Sequence, residues 1–119
     1  MTEEKIETIT IEELQTLVFK EYQKNGYHKK WTDGFKNNSK NQPIFDIAEL
    51  GLICTEVSEA IEEKRKNGLI DSEELFFECA DIIIRTLNFM SRKGANASYY
   101  LIKKNEKNLI RGKLHGKQV

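Results

Sequence analysis

Proline occurs once in the 119 residues, at Pro43, so nothing else in the chain forbids helix by removing a backbone donor. Alternating β-branched runs of the kind that make half-buried strands are also scarce. Cysteine is nearly absent. Cys54 and Cys79 stand far apart, form no CxxC pair and have no histidine nearby. That argues against a structural zinc site, and both thiols are expected as small buried hydrophobes. The N-terminus has no apolar signal-peptide core, and no apolar run is long enough to span a bilayer, which predicts a soluble cytoplasmic protein with no membrane partner. There is no Gly-rich phosphate loop. Net charge is absent too: 19 basic residues balance 19 acidic ones, so the molecule as a whole is no polyanion binder and no nucleic-acid partner is expected.

What is present is helical periodicity. Four helices and no strand are expected, in a single domain over 1–119. Residues 1–43 hold an N-terminal helix and a loop, 44–94 a carboxylate-bearing helix pair, and 95–119 a helix and a basic tail. The first helix opens at Thr10 and Glu13, spaced as a capping box, and ends at Gly26. Leu14, Leu17, Val18 and Tyr22 form its apolar stripe. Residues 27–43 are polar and read as a long loop. The second helix runs from about Ile44–Asp46 to about Lys66, with Leu50, Ile53, Val57, Ala60 and Ile61 as its core face. The third begins near Asp71 or Ser72, where Asp71 and Glu74 have capping-box spacing, and ends near Gly94. The fourth covers about Asn96 to Leu109. From Lys103 onward, Lys103, Lys104, Lys107, Arg111, Lys113 and Lys117 face Glu106 alone. Short connections other than 27–43 predict an antiparallel all-α bundle. Its core is completed by homo-oligomerisation, because the third helix is apolar over more of its surface than three short neighbours cover.

The third helix also carries the polar residues that need explaining. At about 100° per residue, Glu74, Glu78, Asp81, Arg85 and Asn88 share a narrow arc. Leu75, Phe76, Phe77, Ala80, Ile82, Ile83, Ile84, Leu87, Phe89 and Met90 fill the other directions. On the second helix, Glu56 and Glu59 lie together on the margin of the core face, and Glu49 and Glu63 extend that margin two turns each way. Carboxylates on adjacent buried helices repel, and leaving them unpaired costs several kcal/mol per ion. A hard divalent cation with oxygen ligands, Mg²⁺ or Mn²⁺, removes the repulsion. The plainer alternatives are a solvated face for Glu59 and a salt bridge for Glu78 and Asp81, with Arg85 one turn from Asp81.

These residues resemble a known family. "LGLICTEVSEAIEEKRKNG" from Leu50, then Glu78-Cys79-Ala80-Asp81, is similar to the MazG-like nucleotide pyrophosphohydrolases, whose signature is ExxE on one helix and ExxD on the next. Here these are Glu56-Val57-Ser58-Glu59 and Glu78 to Asp81, with eighteen residues between them. In the tail, Lys104, Asn108, Arg111, His115, Gly116 and Lys117 match the family's closing pattern. The resemblance covers roughly Ile44 to Lys117. Thr55 stands where many members carry a further Glu.

The resemblance implies an all-α homodimer or homotetramer that hydrolyses a nucleoside triphosphate, Mg²⁺-dependently, to monophosphate and pyrophosphate. Glu56, Glu59, Glu78 and Asp81 would be the metal and catalytic carboxylates. The metal clamps phosphate oxygens and activates a water for attack on the α-phosphorus, with one of the four acids as general base. Lys104, Asn108 and Arg111, at i, i+4 and i+7, would hold phosphate oxygens or else form a solvated basic face, with His115 and Lys117 beside them in the tail. Trp31 either stacks on a base or anchors the loop. Two rival readings are a non-catalytic helical module whose acidic stripe binds a basic protein, and a relative specific for dUTP or dCTP.

Overall fold

The computed structural model describes residues 3–26 and 41–115, with side chains as far as Gly112. Every regular element among them is an α-helix: α1 Ile11–Lys24, α2 Gln42–Asn67, α3 Glu73–Arg92 and α4 Ala97–His115. No strand occurs among the described residues, and none of these helices is long and apolar enough to cross a membrane.

The ends of the helices follow from local chemistry. Thr10 caps α1 through a full capping box: its Oγ1 accepts from the Glu13 N–H at 3.0 Å, and Glu13 Oε1 accepts from the Thr10 N–H at 3.0 Å. Pro43 sits in the first turn of α2, where its missing N–H costs no helical bond. Gly68 stops that helix at φ 60°, a left-handed conformation that glycine adopts without a Cβ clash. Helix α3 starts after Ser72, one of the two expected positions, but without the expected capping box. Ser72, rather than Asp71, accepts from the Leu75 N–H at 3.1 Å, and no Asp71–Glu74 box forms. Asp71 is drawn instead to Lys64 of α2, at 2.5 Å across the turn. A tight turn at Gly94 (φ 75°) leads into α4, which continues to His115, about a turn and a half beyond Leu109.

Helix α3 is the organising element, since α1, α2 and α4 all pack against it. Between α2 and α3, later residues of one helix meet earlier residues of the other, so the two run in opposite directions. Arg92 meets Glu49, Arg85 meets Glu56, and Ser72 meets Glu63. Helix α1 packs on α3, with Val18 among its buried residues, and is pinned to the α3–α4 corner by Gln15. This buried amide donates to the Ala95 carbonyl at 2.8 Å and accepts from the Ala97 N–H at 3.0 Å.

The apolar core within one chain is small: Val18, Phe45, Ala60, Leu87 and Ala97 are its buried members among the described residues. Leu50, Val57 and Ile61, expected on the core face of α2, are 46%, 40% and 49% exposed. The buried face of α2 is Phe45, Glu49, Glu56 and Ala60, so this helix turns its acids inward and its aliphatics outward. The exposure of Phe76, Phe77 and Ile83 likewise departs from a helix buried all round. Cys54 and Cys79, expected inside, are both exposed, because they lie on these outward faces. The total accessible surface is 9656 Å² for a 13.9 kDa chain. A compact monomer of that mass exposes about 6,700 Å². The radius of gyration is 17.2 Å, against about 13.5 Å for a compact domain of this length.

Candidate metal centre

The inward polar face of α2 and the polar stripe of α3 form a ladder. At one end Arg92 donates through Nε to Glu49 at 2.6 Å and through a terminal nitrogen to Asp46 at 2.5 Å, and Lys93 adds a 2.7 Å bond to Asp46. The Arg92 guanidinium also lies over the rings of Phe45 and Phe89, at 5.8 and 5.6 Å from their centroids. Burial by itself would raise the Asp46 carboxyl. Hydrogen bonds from Lys93 and Arg92, with their charges, hold it below its ordinary range instead. Next along the ladder, Arg85 Nε donates to Glu56 at 2.8 Å. At the far end Glu63 accepts from Ser72 at 3.0 Å and from the Asn67 amide at 2.9 Å. Each of these acids has a donor.

Between the Glu56 and Glu63 rungs, Glu59 of α2 meets Glu78 of α3. Oxygens of Glu56, Glu59 and Glu78 converge, one from each lying within 4.8 Å of the others. Glu56 is buried, Glu78 half-buried and Glu59 exposed, so the cluster opens to solvent on the Glu59 side. Glu78 Oε2 is buried with no hydrogen-bond partner among the described residues. Its carboxyl is pushed above the ordinary glutamate value, first by burial, then by hydrogen bonding with Glu59, then by the charges of Glu59, Asp81 and Glu56. Two carboxyl groups in contact hold a proton between them more readily than two negative charges.

Three of the four acids expected together are therefore together. Asp81, one turn along α3 from Glu78, is exposed beside this cluster and contributes to its field rather than to the converging triad. Arg85 reaches across to α2, where the sequence spacing suggested a bond back to Asp81. One neighbour carried no signal in the sequence. Tyr22, expected simply as part of the apolar stripe of α1, feels the charges of Arg85, Asp81, Glu49 and Glu56. Its phenol is raised chiefly by burial, with Arg85 opposing and the three acids adding to the rise. A side chain brought in from a distant helix leaves no spacing pattern to read.

Compared with known protein families, curated proteins and solved structures, the chain matches none. Lys104, Asn108 and Arg111 stand exposed along one face of α4 without a partner among the described residues. The roles expected of Trp31, His115 and Lys117 fall outside the described side chains.

Proposed function

We propose that this chain is a Mg²⁺-dependent nucleoside triphosphate pyrophosphohydrolase whose helices complete an antiparallel bundle in a homo-oligomer. The observation that carries the reading is the Glu59–Glu78 rung, the place in the ladder where acid meets acid without a donor. A hard cation fits it. The donor set is all oxygen, three carboxylates converge, and Glu78 Oε2 is buried with no partner. Glu56, Glu59 and Glu78 would hold the ion, with Asp81 at the rim. When bound, Mg²⁺ supplies positive charge for phosphate oxygens and activation of water.

The chain's own residues then have distinct tasks. Arg85 fixes one Glu56 oxygen, which sets the orientation of that carboxylate. One of the four carboxylates Glu56, Glu59, Glu78 and Asp81 would be the proton-accepting group, with Asp81 exposed at the rim. As water attacks the α-phosphorus, its proton passes to one of these carboxylates. The bond from the α-phosphorus to the bridging oxygen breaks, and pyrophosphate leaves with that oxygen. Lys104, Asn108 and Arg111 supply donors for phosphate oxygens.

The test is a panel of nucleoside triphosphates with products separated by chromatography, in Mg²⁺ and in EDTA. Monophosphate and pyrophosphate in Mg²⁺, and nothing in EDTA, are expected. Diphosphate plus orthophosphate would overturn the mechanism. Absence of hydrolysis together with absence of thermal stabilisation by millimolar Mg²⁺ would favour a non-catalytic acidic module.

A further inference from the structure

Two arginines of α3 bond the acids of α2, and they are held differently. Arg92 bonds both Asp46 and Glu49, lies over two aromatic rings, and has a side chain only 11% exposed. Arg85 bonds Glu56 through Nε at 2.8 Å, and its side chain is 31% exposed. Displacing Arg92 would strand buried charges, whereas Arg85 borders solvent and can be rehydrated where it stands. Glu56 is also the acid that joins this ion pair to the converging triad. Its Oε1 accepts from Arg85, and one oxygen of the same carboxylate lies within 4.8 Å of oxygens of Glu59 and Glu78. Of the three converging acids, Glu56 is the buried one and the one in an ion pair among the described residues.

We propose that Arg85 is the built-in counter-ion of this centre: it competes with the divalent cation for Glu56 and so sets the ion concentration at which the centre fills. The proposal rests on the ion-binding reading above and concerns the regulation of that same site. Formal charge carries the argument. Glu56, Glu59 and Glu78 bring three negative charges, and Arg85 returns one positive charge at the acid that solvent reaches least. In the ion-free chain this pairing keeps a buried carboxylate from standing uncompensated, which would be strongly destabilising. Once a cation enters, two positive charges share one carboxylate. Each draws on the same negative charge and repels the other, so each is held less tightly than it would be alone. The effect is reciprocal. The factor by which Arg85 weakens ion binding is the factor by which the ion weakens the Arg85–Glu56 pair. An arginine that served only to aim Glu56 at the ion would have the opposite sign, since its removal would loosen ion binding.

The Mn²⁺ affinity of the full chain, read from the electron paramagnetic resonance of the free ion, tests this without reference to activity. Arg85→Gln should bind Mn²⁺ about tenfold more tightly than the native chain, and Arg85→Lys, which keeps the charge, within about twofold of it. Arg65→Gln removes the same charge from an exposed position on α2 and should change the affinity little. In EDTA, Arg85→Gln should melt below the native chain, and saturating Mn²⁺ should close most of that gap. If Arg85→Gln does not fold, the native protein supplies the readout. Its Arg85 Nε–H resonance, assigned as the one missing from Arg85→Lys, should move toward that of a solvated arginine and exchange faster with water as Mg²⁺ is added. Equal or weaker Mn²⁺ binding by folded Arg85→Gln would overturn the proposal and leave the ion reading intact. So would an Nε–H resonance unmoved at saturating Mg²⁺. Absence of Mn²⁺ binding in the native chain and in Arg85→Gln alike would overturn the ion reading and the proposal with it.

Discussion

Glu59 and Glu78 meet across α2 and α3 at the point of the ladder where no donor intervenes. On one side of them Arg85 holds Glu56 at 2.8 Å, and on the other Ser72 holds Glu63 at 3.0 Å. Substituting a basic or hydroxyl residue at either position would have continued the ladder. A rung of two acids brings like charges together, which the proposed cation would offset.

Removing one charge from this rung should stabilise the metal-free protein. Glu78→Gln keeps the shape, removes a carboxylate pressed against Glu59 and offers the site an amide donor. In EDTA it is expected to melt a few degrees above the native chain. Asp81→Asn should melt at the same temperature or slightly above. Both should lose most of the stabilisation that millimolar Mg²⁺ confers and most of the hydrolysis. Melting curves with EDTA and with Mg²⁺ check this. Equal destabilisation in both conditions, with activity retained, would show that these acids serve structural bonds.

Two rungs of the ladder respond oppositely to pH. Glu78 is raised in the folded chain, so the stability linked to its proton is fully present below the ordinary glutamate value and is lost as pH rises through the folded value. Asp46 is lowered, so its contribution is present above the ordinary aspartate value and is lost as pH falls through the folded one. In EDTA, stability should therefore pass through a maximum in mildly acidic solution and decline toward neutrality. Glu78→Gln should remove the decline on the alkaline side and leave the acid limb in place. Urea midpoints between pH 3 and pH 8 give the profile, and a native alkaline limb unchanged by Glu78→Gln would contradict the assignment.

Gln15 tests how α4 is held. Its amide satisfies the Ala95 carbonyl and the Ala97 N–H at the α3–α4 corner, at 2.8 and 3.0 Å, inside the protein. Gln15→Met preserves length and volume but leaves both backbone groups unpaired. The expected loss is about 2 kcal/mol, in line with orphaning buried polar groups. It is read as a lower urea midpoint together with faster amide exchange in the first turn of α4. Gln15→Glu should be intermediate, since a carboxylate accepts from Ala97 but donates nothing to Ala95.

Helix number and order were legible in the residues, because capping chemistry and glycine stops act within a turn of their own position. Thr10 with Glu13, Gly68 and Gly94 illustrate this. The convergence of Glu56, Glu59 and Glu78 was legible as well, since a period of 3.6 residues aligns acids three apart on one side of each helix. Other features depended on which groups compete in space. Asp71 gave way to Ser72 as the α3 cap because Lys64, seven residues back, draws the carboxylate away. Arg85 left its own helix for Glu56, and Tyr22 entered the field of the acids from α1. The orientation of α2 was the largest such decision. Its aliphatic and acidic faces were both plain in the sequence, and periodicity assigned the aliphatic one to the core. In the single chain the acids face inward, since Arg85 and Arg92 on α3 neutralise Glu56 and Glu49 only across that interface. Periodicity shows that a helix has two unlike faces, and which one turns inward depends on the side chains that the neighbouring helix presents.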